Sequence, residues 1–157
     1  MKKLLFGLVA LVTINAASAQ DVKKTFGVGF QSSLPIYGIS AKYAVTDESV
    51  IQATIAPFGS GIAKINFYGA RYIHRFTNEN NENLNPYLFA GGGLITYSGL
   101  GTTSSNFFSY SAGGGVEYIV ANALGLSVDL GYGKLGVTNN VGVSGVFFGA
   151  GIHYYIK

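Results

Sequence analysis

GVFFGAGIHYYIK, residues 145–157, decides the fold. Val146, Phe148, Ala150, Ile152, Tyr154 and Ile156 form one alternate set without a polar break, and Gly145, Phe147, Gly149, Gly151, His153 and Tyr155 form the other. Period two is the signature of a strand, whose successive side chains point to opposite faces. One face of this strand is wholly apolar. The other is built from glycine, aromatic rings and a histidine.

Seven further alternating segments precede it, separated by turn-rich stretches. The outward sets are Phe26, Val28, Phe30; then, after QSSLP, Tyr37, Ile39, Ala41, Tyr43, Val45; and, after TDES, Ile51, Ala53, Ile55. A fourth segment covers about 64–76 and a fifth 86–97, its parity blurred by Gly91, Gly92 and Gly93. The sixth aligns Phe108, Tyr110, Ala112, Gly114, Val116 and Tyr118, and the seventh Leu126, Val128, Leu130 and Tyr132. Eight strands are predicted.

The fourth segment needs a physical argument. Its odd positions, Ile65, Phe67, Gly69, Arg71 and Ile73, are the more hydrophobic set. Yet an arginine at mid-height on a lipid-facing strand costs about 2–4 kcal/mol. Arg71 is therefore turned inward, with Tyr68, Ala70 and Tyr72 outward. With that choice Lys42, Arg71, Glu117 and Asp129 all leave the apolar stripes and join Ser40, Gln52, Thr54, Ser111 and Ser127 on the opposite faces. A soluble sandwich or lipocalin would put the apolar set inside. Here it faces hydrocarbon, where every backbone N–H and C=O needs a partner within the protein and strands survive only as a closed barrel. The expected fold is an all-β, eight-stranded antiparallel transmembrane barrel with up-and-down meander connections. Aromatic residues fall near the strand ends, where amphipathic rings prefer the interface: Tyr43, Phe76, Tyr87, Tyr118 and Tyr154 at one end, Phe30, Tyr37, Tyr97, Phe107 and Tyr132 at the other.

The first residues, MKKLLFGLVALVTINAASAQ, carry two lysines, an apolar run and Ala17-Ser18-Ala19, the layout of a secretory signal peptide. Residues 1–19 are read as that leader and 20–157 as the barrel domain. Of 10 basic side chains in the 157-residue sequence, Lys2 and Lys3 leave with the leader, so eight face seven acidic ones. So small an excess argues for no nucleic-acid partner. Cysteine is absent, excluding disulfides and thiol chemistry.

PYLFAGGGL, YSAGGGVEYIV, LGLSVDLGYG and GVFFGAGIHYYIK resemble the last four strands of the small OmpA/OmpX-like outer-membrane barrels, the outer membrane protein β-barrel domain family. The leader ending in AQ is similar to those of Bacteroidetes members. The resemblance spans the chain after the leader and implies residence in the outer membrane of a Gram-negative cell. It also implies contact with outer-membrane lipid and lipopolysaccharide, and passage through the barrel-assembly machinery. Gly151, Tyr154 and Ile156 match the spacing of the family's C-terminal assembly signal, with Lys157 in the last place, where many members carry an aromatic residue. A monomer is expected.

One side-chain constellation stands out. Lys42, Arg71, Glu117, Asp129 and His153 all point inward, within one or two layers of each other. With a hairpin centred near Ala123, Glu117 and Asp129 would lie nearly opposite each other, and Arg71 and Lys42 are the cations available to separate them. Such a layer reads as a structural ionic network that fills the lumen. A narrow porin-like pore for ions or small solutes is the alternative. Catalysis is not expected: His74 has no serine nearby, and His153 sits among tyrosines. Two histidines without ligand spacing predict no metal site, and no cofactor is expected. A peptidoglycan-binding role would need a separate domain beyond the eighth strand, and none is read in this sequence.

Overall fold

The computed structural model describes residues 26–33, 36–58, 63–76, 83–99, 105–121, 123–136 and 142–156. The leader read at 1–19, Gln20 and Lys157 lie outside them. The strands are β1 (Phe26–Ser33), β2 (Ile36–Ala44), β3 (Ser49–Phe58), β4 (Ala63–Arg75), β5 (Leu84–Gly99), β6 (Ser105–Val120), β7 (Leu124–Gly136) and β8 (Gly142–Ile156). Each pairs antiparallel with its sequence neighbour, and β8 pairs with β1 to close the barrel. The eight-stranded meander read from the alternation is the observed fold.

The register fixes the tilt. A row of backbone partners runs from Gly27 through Lys42, Gln52, Arg71, Gly91, Ser111 and Gly133 to Gly145. Gly27's own partner across the closing seam is Tyr155, ten residues beyond Gly145. A stagger of this kind requires the strands to lean about 35–45° from the barrel axis, and eight strands leave an interior just wide enough for side chains.

The wall is inverted relative to a soluble protein. Ile39, Ile51, Leu88, Val128, Leu130, Phe148 and Ile152 are exposed, whereas Lys42, Arg71, Glu117, Asp129 and His153 are buried. On β4, Tyr68 and Tyr72 are exposed and Arg71 is inside, so the cost of a charge in hydrocarbon outweighed the hydrophobicity count.

Two expectations change. The strands of the second half are longer than their alternation suggests: β5 reaches Gly99, β7 reaches Gly136 and β8 starts at Gly142. Gly and Ser there read as loop, yet the ladder continues through them because each neighbour supplies a pairing strand. Tyr87, placed in the interfacial belt by its position near a strand end, is 3% exposed and points into the lumen. Leu88 and Ala90 face out on β5, and the Asp129 carboxylate takes the Tyr87 hydroxyl.

Candidate functional site: an ionic layer across the lumen

Inward positions on all eight strands supply one polar assembly. In its lower tier, Glu117 on β6 accepts from Lys42 Nζ at 2.7 Å, Tyr155 Oη at 2.7 Å and Arg75 Nη2 at 3.3 Å. In its upper tier, Asp129 on β7 accepts from Arg71 Nη1 at 2.8 Å, from Gln31 Nε2 at 2.8 Å and from Tyr87. Gln52 on β3 ties the upper tier to Ser40 and His153. Its Oε1 accepts from Arg71 Nε at 2.6 Å, and its Nε2 donates to Ser40 Oγ at 2.6 Å. His153 Nε2 lies 2.9 Å from Ser40 Oγ and 3.4 Å from Gln52 Nε2.

Burial explains why the arrangement must be this complete. A buried charge is tolerable only when paired and hydrogen-bonded. The ion-pair side chains of Arg71 and Asp129 are fully inaccessible, and those of Lys42 and Glu117 nearly so. The Arg71 guanidinium also lies 4.7 Å from the centroid of the Phe89 ring, and Phe89 in turn packs 6.2 Å from Phe147. These rings cap the polar tiers on the side away from the termini. The interior is a packed layer.

The structure brings Lys42, Arg71, Glu117, Asp129 and His153 together, but not in the expected pairing. Glu117 stands opposite Ser127, and Asp129 opposite Gly115. Val120 pairs with Leu124, so the connecting turn is centred one residue earlier than Ala123. Ala121 adopts a left-handed φ of 48° to make that tight reversal. The shift displaces the two carboxylates along the wall and gives each its own cations.

Arg75, Gln31 and Tyr87 were not assigned to this layer by sequence. Arg75 shares the odd parity of Arg71, and Gln31 alternates with the outward Val28 and Phe30, so both were findable once the faces were set. Tyr87 was masked by the glycine run. His74 takes no part and stacks edge-on against Phe76 at 5.1 Å. The residues read from the resemblance as an assembly signal lie on β8, Tyr154 and Ile156 facing outward and Gly151 facing Gln31 and Ser127 inside.

An inverted, closed eight-stranded antiparallel barrel is the fold of small outer-membrane barrels. The structure aligns with the N-terminal β-barrel domain of Pseudomonas aeruginosa OprF at a TM-score of 0.60 and 16% identity, covering 83% of this chain and 95% of that one. It aligns with Neisserial surface protein A at a TM-score of 0.54 and 24% identity, over 83% and 93% of the two chains. At these identities the shared property is the fold. No family model matches the sequence, and no curated protein matches it.

Proposed function

We propose that this protein is a non-enzymatic integral barrel of the Gram-negative outer membrane, with a structural or interaction role and a lumen closed by side chains. The observation that carries this reading is the polar layer, to which every strand contributes and which is complete only when β8 has met β1. Export would use the leader at 1–19, leaving Gln20 first, and insertion would use the assembly machinery through Gly151, Tyr154 and Ile156. The exposed apolar wall would sit in outer-membrane lipid and lipopolysaccharide as a monomer.

A narrow pore is the second reading, and one observation favours it. Among the described residues the layer holds three cationic side chains, Lys42, Arg71 and Arg75, against two carboxylates, and Arg71 Nη2, Thr54 Oγ1, Ser127 Oγ and His153 Nδ1 have no hydrogen-bond partner. Buried polar groups left over in this way are sites where water enters. Single-channel recording on the refolded protein separates the readings. The plugged barrel is expected to give no stable conductance, and a large, long-lived conductance would promote the pore.

The membrane assignment has its own test. The protein is expected to sediment with outer membranes, to resist carbonate extraction, and to migrate differently on a denaturing gel before and after boiling. A freely soluble monomer would overturn it. Mass spectrometry of the extracted chain is expected to show Gln20 first, and a retained Met1 would count against this export route.

A further inference from the structure

The β1–β2 hairpin leaves the wall near its tip. Across the closing seam β1 pairs with β8 from Phe26 to Ser32, and on the other side β2 pairs with β3 from Ala44 to Ile39. Beyond those points the hairpin pairs only with itself, Ser33 with Ile36, Ser32 with Tyr37 and Gln31 with Gly38. Had β2 kept its register on β3, Ile36 would stand opposite Phe58, whose own partner on β4 is Ile65. Gly69 of β4 would then be two strands and four residues away.

Ile36 is instead at Gly69. Its Cα lies 3.4 Å, and its Cγ1 3.3 Å, from the point where a Cβ on Gly69 would stand. Gly69 shares the inward parity of Arg71, so Ile36 has crossed β3 on the inside of the barrel, where it is 1% exposed. Gly38 makes the bend. Its φ of 123° is open in practice to glycine alone, and a Cβ there would run into the Ile55 carbonyl and the Ala56 Cβ on β3. On the β8 side, Ser33 is buried, with its Cβ 2.5 Å from where a Cβ on the inward Gly149 would stand. Tyr37 fills the gap left in the wall, its ring centroid 5.4 Å from that of Phe30 and 5.5 and 6.2 Å from those of Phe58 and Phe67.

The tip lands on the polar layer. Thr54 is the next inward residue beyond Gln52 on β3, and its Oγ1 lies 2.8 Å from the same point over Gly69 that Ile36 approaches. Thr54 is buried, and its hydroxyl has no hydrogen-bond partner among the described residues. An aliphatic side chain beside a lone buried hydroxyl leaves that group unsatisfied, at a cost that water would remove. Phe89 and Phe147 cover the layer from β5 and β8, and Ile36 covers it from β3 and β4.

We infer that the tip of the β1–β2 hairpin is a lid that closes the lumen over the polar layer, bent inward at Gly38 and seated on Gly69 and Thr54. Because its ladder bonds run within its own hairpin, the tip can lift without opening the closed sheet. Lifting gives the Thr54 hydroxyl to water. The lumen is thus closed twice, by the polar layer and by the lid above it.

The sequence has no cysteine, so introduced thiols report alone. Ile36→Cys with Gly69→Cys is expected to form a disulfide when the refolded protein is treated with oxidised glutathione, seen as a gel shift that dithiothreitol reverses. Ile39→Cys with Tyr68→Cys spans the same two strands on the outer face, both residues being partners of Ile55. Next-nearest strands in a wall stand about 10 Å apart, beyond the roughly 7 Å between Cα atoms that a disulfide bridges, so this second pair should stay reduced. Thr54→Cys alone should react with a charged methanethiosulfonate about tenfold faster once Ile36→Gly removes the covering side chain. Unheated gel mobility shows which variants fold, and if Gly69→Cys prevents folding the labelling rates decide alone. No link between positions 36 and 69, equal links in the two pairs, or a Thr54→Cys rate unchanged by Ile36→Gly would each overturn the lid. Membrane fractionation reads the outer-membrane assignment separately, so failure here sinks the lid and not that reading.

Discussion

Replacing Arg71 by alanine is expected to lower the unfolding free energy by about 3–5 kcal/mol, the cost of stranding one member of a buried ion pair. The side chain is fully inaccessible and serves three neighbours. Asp129 loses its only cationic partner within 4 Å among the described residues, Gln52 Oε1 loses its donor, and the Phe89 ring loses the charge over its face. The register also dictates what should rescue the variant. Because Glu117 is held separately by Lys42, Arg75 and Tyr155, neutralising it should not help. Asp129→Asn should recover a good part of the loss, since the amide keeps acceptor capacity for Gln31 and Tyr87 without a buried negative charge. Urea titrations of refolding into lipid vesicles measure all four proteins. If Glu117→Gln rescued Arg71→Ala as well as Asp129→Asn does, the two tiers would be one electrostatic unit and the separation described above would be wrong.

The second large effect belongs to the outer wall. Val128→Arg should cost about 2–4 kcal/mol, the range for arginine near the bilayer midplane. Val128 faces outward on β7, 63% exposed, between Leu126 and Leu130, and its backbone partners are Val116 and Ala150. Nothing within the wall can pair with a guanidinium there, and the interface lies several residues away in either direction. Ser127→Arg, one residue earlier, places the same charge in the lumen beside Glu117. It gains a carboxylate but must fit a space where Ser127 already stands against Gly151, so its cost is steric. The two variants should differ in kind: the first should become milder in thinner bilayers, which bring headgroups closer, and the second should not. A neutral Val128→Arg in the same titrations would mean that this face of β7 does not meet hydrocarbon.

The sequence by itself determined the strand count, the meander and the sense of the two faces. Those properties follow from period-two alternation and from one rule of solvation, that charge does not face hydrocarbon, and both can be read residue by residue. Arg71 shows the rule at work: its inward position was legible because the alternative was too costly. Tyr87 shows its limit, since both a lumen and an interface accept a tyrosine, and Gly91–Gly93 erase the parity that would have decided between them. The tertiary structure alone decided which cation meets which carboxylate. A turn centred one residue earlier than Ala123 moves Asp129 away from Glu117, and local composition does not fix a turn's centre to one residue. It alone decided the register of the closing seam too, which sets Phe26 against Ile156. Pairing between the first and last strands is a property of the circuit, and no segment of the chain carries it.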